Sequence, residues 1–219
     1  MHFKIKICCI SSLAEARMAI AAGVDALGLV GKMPSGPGPI KDEMIAHIAM
    51  HIPPPISSFL LTSEQTATAI IDHVKRVHTN TVQIVDEPAE GAYYEIKKAL
   101  PYLRIVQVIH VGGEESIAEA LAIQQQADAI LLDSGNPKAA IKTLGGTGNK
   151  HNWEISREIV RSVSIPVFLA GGLTAENVAD AINMVHPYGI DACSGVRTDG
   201  KLDKEKLKKF VAAVRHFNL

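Results

Sequence analysis

The 219-residue sequence is short of cysteine and of uninterrupted apolar runs, and each shortage excludes a class of protein. Three cysteines, of which Cys8 and Cys9 are adjacent, are too few for a disulfide framework and are typical of a reducing compartment. No apolar stretch approaches the roughly 20 residues of a membrane-spanning helix. Lys4 and Lys6 interrupt the one early apolar run, so no signal peptide is predicted. The sequence therefore predicts a cytoplasmic protein with no membrane partner.

The sequence also lacks an excess of either charge and a dinucleotide-binding glycine motif. Its 22 Lys and Arg against 23 Asp and Glu leave a formal net charge of −1, so no basic surface for nucleic acid is predicted. The first predicted strand is not followed by the spaced glycines of a dinucleotide-binding fold. Hydrophobic residues at 47% and charged residues at 21% are near the globular average, so the chain can bury a sizeable core.

What the chain does contain is a repeated alternation of short β-branched runs and helical patterns. Strands are predicted at 3–10, 25–30, 56–61, 81–85, 103–110, 128–133, 165–170 and 190–194. Helical patterns follow, among them 64–77, 90–100, 114–126 and 203–217. Ser12 and Glu15 form a capping box at the first helix. Eight such units joined by right-handed crossovers predict one (β/α)8 TIM barrel over residues 1–219, with a doubly wound open sheet as the alternative.

Two ionisable side chains end predicted strands of this barrel. Alternation along the first strand puts Cys8 in phase with Lys4 and Lys6, pointing into the barrel near its C-terminal end. Asp133 ends the sixth strand, and since an unpaired carboxylate under the helices would be costly, it should face the same mouth. Barrels keep their chemistry at that end. Cys8 and Asp133 are therefore the predicted catalytic pair, a thiol and a carboxyl suited to moving protons on and off a carbon atom.

Glycine-rich turns follow the sixth, seventh and eighth predicted strands. Their candidate anion-binding residues are Gly146, Gly148, Gly171, Gly172, Ser194 and Gly195. Glycine lets the backbone approach an anion closely, and the N–H groups of turns and helix N-termini supply the donors. The loops after strands seven and eight are the usual phosphate position of a barrel. The turns therefore predict a phosphate site, the alternative being that each glycine merely ends a strand.

Seven short motifs occur in one order along the chain. They are Lys6-Ile7-Cys8, 22–28, 131–134, 145–148 with Trp153, 169–178, 187–191 and 194–196. With these motifs the chain resembles the phosphoribosylanthranilate isomerases of tryptophan biosynthesis over nearly its whole length. The resemblance implies an Amadori rearrangement of N-(5-phosphoribosyl)anthranilate to a carboxyphenylamino-deoxyribulose phosphate, without a metal or an organic cofactor.

The resemblance also implies a role for each site residue. The carboxyl of Asp133 is expected to protonate the ring oxygen as general acid, and the thiolate of Cys8 to remove the proton from the adjacent sugar carbon. Gln83 faces inward by alternation and matches the family, so it is expected to contact substrate or simply to fill the barrel. Asp191 is counted with the substrate-binding residues. The expected partner is a small phosphorylated sugar, and a monomer and a homodimer both remain open.

Several positions depart from the family's pattern. Cys9 follows the catalytic cysteine where the family has Gly, and a Cβ there strains a turn that needs positive φ. The loop at 33–39 has no Arg, residues 83–86 lack the family's His, and Arg197 stands in place of a Glu. These departures keep two alternatives open. One is a paralogous isomerase of another phosphorylated amino sugar, and the other is a non-catalytic barrel that binds phosphorylated metabolites.

Histidines give a weaker signal. His110 ends the fifth predicted strand, where it would serve as an acid, a base or an anion contact. Four others, His47, His51, His73 and His78, lie on helical stretches and are predicted to be surface residues.

Overall fold

The computed structural model describes residues 3–34, 36–135 and 152–218. Eight parallel strands follow one another around a closed barrel, and the last pairs with the first. They are β1 (Lys4–Ile7), β2 (Ala26–Val30), β3 (Ser57–Thr62), β4 (Thr81–Ile84), β5 (Arg104–His110), β6 (Ala129–Asp133), β7 (Val167–Leu169) and β8 (Gly189–Ala192). The predicted (β/α)8 barrel is confirmed, and closure excludes the open sheet. That residues 1–219 form one domain stays a prediction.

Eight α-helices surround the barrel within the described ranges. They are α1 (Leu13–Ala21), α2 (Asp42–His51), α3 (Ala67–Val77), α4 (Ala92–Ala99), α5 (Glu115–Ile123), α6 (Trp153–Ser162), α7 (Val178–Val185) and α8 (Lys204–Arg215). Side chains that accept backbone N–H groups begin several of them: Ser12 caps α1, Thr66 caps α3 and Asp203 caps α8. No helix in the described part of the chain is long and apolar enough to cross a bilayer.

The first and last strands of the barrel end earlier than predicted, each for a local reason. β1 ends at Ile7 rather than at residue 10, because Cys9 adopts a left-handed conformation with φ of 61° and turns the chain away. β8 ends at Ala192, because Ser194–Val196 winds into a 3-10 helix. A short hairpin of β9 (Arg197–Thr198) and β10 (Lys201–Leu202) then leads to α8.

The core has two layers, which the strands separate. Leu27 and Leu29 of β2 face the helices, while Ala26 and Val30 of the same strand face the barrel interior. The interior cluster also contains Cys8, Cys9, Phe59, Leu61, Val85, Val106, Val108, Ala129, Leu131, Phe168 and Ala170. Cys8 therefore points into the barrel, as strand alternation predicted.

One of the four histidines predicted at the surface is buried. His73 is 4% exposed, and its ring nitrogens lie 3.1 Å from Thr62 Oγ1 and 3.1 Å from Asp42 Oδ1. The surface prediction for His73 was wrong because its ring packs over Gly31, where a Cβ would lie 2.6 Å from Cε1. The other three, His47, His51 and His78, are exposed.

One carboxylate, that of Asp25, joins several elements at the end of the barrel opposite the mouth. Asp25 accepts hydrogen bonds from Ile5 N at 2.9 Å, from Arg215 at 2.9 Å and from Lys4 Nζ at 3.2 Å. Burial acts to raise the pKa of Asp25, but the bonds from Ile5, Arg215 and Lys4 outweigh it and hold the pKa below its usual range. Asp25 thus ties β1, the start of β2 and α8 together at the end opposite the mouth.

We expect Asp25→Asn to lower the free energy of unfolding at pH 7 by about 1–3 kcal/mol, since the charged acceptor is lost. Because folding lowers this pKa, the contribution of Asp25 is complete above the unfolded value of about 3.9 and is lost as the pH falls through the folded value. Urea unfolding between pH 7 and pH 2 should therefore show a shallower acid loss for the variant. Asp72→Asn, at an exposed position of α3, is the control; equal losses for both variants would contradict the assignment.

Candidate active site

The two predicted catalytic residues lie on the same side of the barrel wall, at its mouth. Cys8 follows β1 and is 6% exposed within the interior cluster. Asp133 is the last residue of β6, in phase with the inward Ala129 and Leu131, and it pairs in register with His110. Its Oδ1 accepts a hydrogen bond from Ser134 N at 2.7 Å. Strand alternation therefore brings a thiol and a carboxyl to one opening.

A buried ion pair accompanies them. Lys6 Nζ lies 2.8 Å from Asp191 Oδ2, with the two side chains 0% and 7% exposed. Burial acts to lower the pKa of Lys6, but Asp191, followed by Cys8, outweighs it and raises this pKa above its ordinary value. Burial raises the pKa of Asp191, against the pull of Lys6 and with a further push from the charge of Asp133. Lys6 thus interacts with the thiol and Asp191 with the carboxyl of the predicted pair.

Three buried polar atoms near the mouth lack a hydrogen-bond partner among the described residues. They are Asp191 Oδ1, Gln83 Oε1 and His110 Nδ1. The other ring nitrogen of His110 lies 3.0 Å from Val85 O and donates to it, so in the neutral ring Nδ1 is an acceptor. A buried polar atom left unpaired costs about 1–3 kcal/mol. A polar molecule in the mouth would relieve this cost. The predicted inward orientation of Gln83 is confirmed, because its neighbours on β4 pack in the outer layer.

The turn after Cys8 contains a second thiol, that of Cys9. The conformation of this turn explains the Pro and Gly content of the loop after β2. Cys9 has φ of 61°, a region that favours glycine, and its Sγ lies 3.9 Å from Cys8 Sγ and 3.6 Å from Pro37 O. Gly38, with φ of 87°, packs directly on it: a Cβ there would lie 2.6 Å from Cys9 Cβ. The Pro/Gly-rich loop after β2 is thus shaped to receive the side chain of Cys9.

A third thiol, that of Cys193, lies near Cys9 and was not among the predicted site residues. Hydrogen bonds to Cys193 and Cys8 raise the pKa of Cys9 far above its ordinary value. The same bond lowers the pKa of Cys193, as do the nearby Arg197 and Lys6, against the effect of burial. Alternation from Asp191 signals that Cys193 points inward, but its proximity to Cys9, at the opposite end of the chain, has no sequence signal.

The loops after β7 and β8 touch, as a phosphate site requires. Gly171 and Gly172 have φ of 82° and 63°, and Asn177 Nδ2 donates to Gly172 O at 2.9 Å. A Cβ on Gly195 would lie 2.0 Å from Leu173 O, so only glycine permits this approach. A cleft beside the loops is lined by Thr174, Ala175, Glu176, Ser194, Gly195, Lys206 and Lys209.

The remaining predicted phosphate residues, Gly146 and Gly148, lie outside the described residues. In the part of the chain that is described, no group of three His, Cys, Asp or Glu side chains is arranged to hold a metal ion.

Gly38→Ala should destabilise the fold more than Gly91→Ala, because both glycines have positive φ but no atom lies near a Cβ on Gly91. We expect the loss at Gly38 to exceed the loss at Gly91 by about 1–3 kcal/mol, the usual cost of overpacking. Combining Gly38→Ala with Cys9→Gly should recover that excess in chemical denaturation. Equal losses at the two glycines, or no recovery in the double variant, would contradict the packing of Cys9 on Gly38.

Eight parallel strands with ionisable side chains at their carboxyl ends define a (β/α)8-barrel protein with its site at the mouth. Within that class the chain belongs to the N-(5'-phosphoribosyl)anthranilate isomerase family, whose model, described as N-(5'phosphoribosyl)anthranilate (PRA) isomerase, matches residues 5–213.

Named relatives agree with this membership. The chain is 34% identical over 214 residues to the N-(5'-phosphoribosyl)anthranilate isomerase of Methanocella arvoryzae, covering 98% of this chain and 95% of that one. It is 37% identical over 210 residues to isomerase 2 of Methanosarcina mazei, covering 95% and 92%.

Solved structures of the family share the barrel. The phosphoribosyl anthranilate isomerase of Thermotoga maritima superposes with a TM-score of 0.83 at 27% identity, covering 98% of this chain and 99% of that one. A second crystal structure, of a phosphoribosyl anthranilate isomerase in complex with reduced 1-(O-carboxyphenylamino)-1-deoxyribulose 5-phosphate, gives 0.81 at 25% identity, with the same coverage.

Proposed function

We propose that this protein is an enzyme that isomerises N-(5'-phosphoribosyl)anthranilate in tryptophan biosynthesis. The observation that carries the proposal is a thiol and a carboxyl, Cys8 and Asp133, at the mouth of one barrel in a chain of this family. The relative solved with the reduced carboxyphenylamino-deoxyribulose phosphate supports a substrate of that chemistry. The orphaned polar atoms of Gln83, His110 and Asp191 supply hydrogen-bonding groups for its sugar.

The proposed reaction is a proton relocation in three steps. The carboxyl of Asp133 gives its proton to the ring oxygen, the bond from that oxygen to C1 breaks, and a Schiff base forms between C1 and the nitrogen. The thiolate of Cys8 then takes the proton from C2, the electron pair of the C2–H bond forms the C1–C2 double bond, and the C1–N π pair moves onto the nitrogen to give an enolamine. In the tautomerisation to the aminoketose the C2 hydroxyl gives its proton to the Asp133 carboxylate and C1 takes the proton from the Cys8 thiol, so both groups return to their starting states and the reaction needs no external proton.

Lys6 supports the base in this scheme. Its ammonium attracts negative charge on Cys8, and the same attraction raises the pKa of Lys6. Because Asp191 also binds this ammonium at 2.8 Å, the cation is held inside the barrel without a mobile counterion. Lys6 thereby places a buried positive charge beside the proposed base.

The phosphate of the substrate is proposed to bind the loops after β7 and β8. Gly171, Gly172, Ser194 and Gly195 present backbone N–H groups there, with the 3-10 helix Ser194–Val196 at the end of the site. Gly146 and Gly148 remain predictions for the same phosphate. No partner beyond the substrate is proposed, the choice between monomer and homodimer stays open, and a cytoplasmic location remains a proposal.

A second candidate is an isomerase of the same mechanism acting on a different phosphorylated amino sugar. It is favoured by the loop at 33–39, which carries Pro and Gly and no arginine to meet an aromatic carboxylate. Lys32 precedes this loop and offers a point charge instead of a bidentate fork. Comparing kcat/KM for the anthranilate substrate with that for an aniline analogue lacking the carboxylate separates the two candidates. A preference for the anthranilate of less than threefold would favour the second.

We expect Cys8→Ala and Asp133→Asn each to lower kcat/KM by about 10²–10⁴-fold, the usual contribution of a positioned acid or base. A fluorescence assay of the purified proteins measures the fall in kcat/KM, and rescue of a tryptophan auxotroph lacking the isomerase tests activity in the cell. Cys193→Ala is the matched control, since it removes another thiol from the same mouth, and it should retain activity within about tenfold. If Cys193→Ala abolishes turnover while Cys8→Ala retains it, the base is assigned to the wrong thiol. Soluble wild-type protein that neither rescues nor turns over would contradict the function itself.

Inorganic phosphate should raise the melting temperature, because a ligand that binds the folded state alone stabilises it. At a concentration ten times its Kd the expected gain is about 1.4 kcal/mol. Differential scanning fluorimetry with phosphate, against sodium chloride at matched ionic strength, measures it. An equal shift in both salts would count against a phosphate site in these loops.

A further inference from the structure

A buried arginine lies directly behind the turn that carries Cys8. Arg197 is 9% exposed, and its Nη2 donates to the carbonyl oxygens of Cys8, at 3.3 Å, and Cys9. Its Nη1 donates to Gly200 O at 2.9 Å, within the loop that joins β9 to β10. One guanidinium thus ties two successive carbonyls after β1 to the hairpin that follows β8.

Glu15 holds this guanidinium in place. Its two carboxylate oxygens accept from Arg197 Nη1 at 3.3 Å and Nη2 at 3.2 Å, a bidentate pair. The same carboxylate accepts from Leu202 N at 2.9 Å and from Ser11 N at 3.0 Å. Burial acts to raise the pKa of Glu15, but these donors outweigh it and lower the pKa, so the pair is charged at neutral pH.

The turn needs such a restraint because it lies beyond the regular ladder. β1 ends at Ile7, and Cys9 is held at φ of 61°, a conformation that costs a non-glycine residue about 1–3 kcal/mol. On its inner side the backbone is tied by Cys8 N donating to Ala192 O at 2.9 Å. On its outer side the guanidinium binds the carbonyls, so rotation of the Cys8–Cys9 peptide would break these bonds.

We propose that Arg197, oriented by Glu15, is a positioning residue that holds the Cys8 thiol in its reactive orientation. The inference rests on the proposed function through the role of Cys8. Arg197 binds the main chain of Cys8 and Cys9, and it acts on the reaction through that turn. A misplacement of about 1 Å at a reacting group can cost roughly 10²-fold in rate.

The test is Arg197→Lys, whose single ammonium cannot bind the carbonyls and both oxygens of Glu15 together. We expect kcat to fall by about 10–100-fold with KM within threefold, since the phosphate loops are untouched. The limb of the kcat–pH profile that reports the thiol should shift relative to wild type. A fall in kcat of less than threefold with an unshifted profile would overturn the proposal.

The matched control is Arg215→Lys at the other end of the barrel. Arg215 makes a similar set of bonds, to Phe3 O at 3.1 Å, Gly23 O at 2.6 Å and Asp25 Oδ2 at 2.9 Å. Arg215→Lys should lower the melting temperature about as much as Arg197→Lys does, while kcat stays within twofold of wild type and the pH profile is unchanged. If Arg215→Lys lowers kcat as much as Arg197→Lys does, the effect is general loosening of the barrel and the proposal fails.

A charge exchange separates the carbonyl bonds from the ion pair. Glu15→Arg combined with Arg197→Glu restores opposite charges, but a carboxylate at position 197 cannot donate to Cys8 O or Cys9 O. We expect kcat to remain at least tenfold below wild type even where the melting temperature recovers. Recovery of kcat together with stability would show that the ion pair suffices and would overturn the role of the carbonyl bonds.

Alkylation of Cys8 tests the positioning role of Arg197 independently of isomerase activity. The rate at which iodoacetamide labels Cys8 is mapped by fragment-ion mass spectrometry. It is compared among three chains: Cys193→Ser alone, Cys193→Ser with Arg197→Lys, and Cys193→Ser with Arg215→Lys. Arg197→Lys should change the labelling rate by more than threefold and Arg215→Lys should not. If the wild type lacks isomerase activity but this difference holds, the proposed function fails and the positioning role stands; if the wild type is active and the two rates match, the positioning role fails.

Discussion

The ion pair between Lys6 and Asp191 is the interaction on which the rest of the structure depends. The two residues face each other in register on β1 and β8, the strands whose pairing closes the barrel. Transferring both charges from water costs several kcal/mol per ion, and the 2.8 Å contact offsets part of that cost. Lys6 interacts with Cys8, and Asp191 with Asp133. The same two side chains therefore lie on the strands that close the barrel and set the electrostatic environment of its mouth.

A second constraint is the left-handed turn that ends β1. A side chain at Cys9 makes this turn costly, and the surroundings accommodate it from two directions. Gly38 leaves space on the loop side, where any Cβ would overlap Cys9, and Arg197 binds the turn's carbonyls from behind. The strain is thus supported by residues from two separate parts of the chain. Such support keeps Cys9, the neighbour of the proposed base, in a sparsely populated conformation.

Sequence reasoning recovers most of the fold because strand alternation and helix capping are both local signals. Alternation along β1 and β6 orients Cys8 and Asp133 correctly, and capping by Ser12 marks the start of the first helix. It recovers less of the site's surroundings. His73 was placed at the surface because its helix position says nothing of Gly31. The first strand was extended to residue 10 because its apolar run continues through Cys9, although the family's Gly at that position pointed to the turn that the structure shows.

The sequence by itself determined the βα period, the inward phase of Cys8, Asp133 and Gln83, and membership of the isomerase family. These follow from the period of 2 in strands and from motifs in fixed order, which need no knowledge of distant contacts. Tertiary structure alone decided that Arg197 binds the turn of Cys8 and Cys9, that Cys193 meets Cys9, and that Lys6 pairs with Asp191. Each of these joins residues more than 180 positions apart, and barrel closure brings them together. Contacts at that separation depend on how the ends of the sheet meet, which no local pattern encodes.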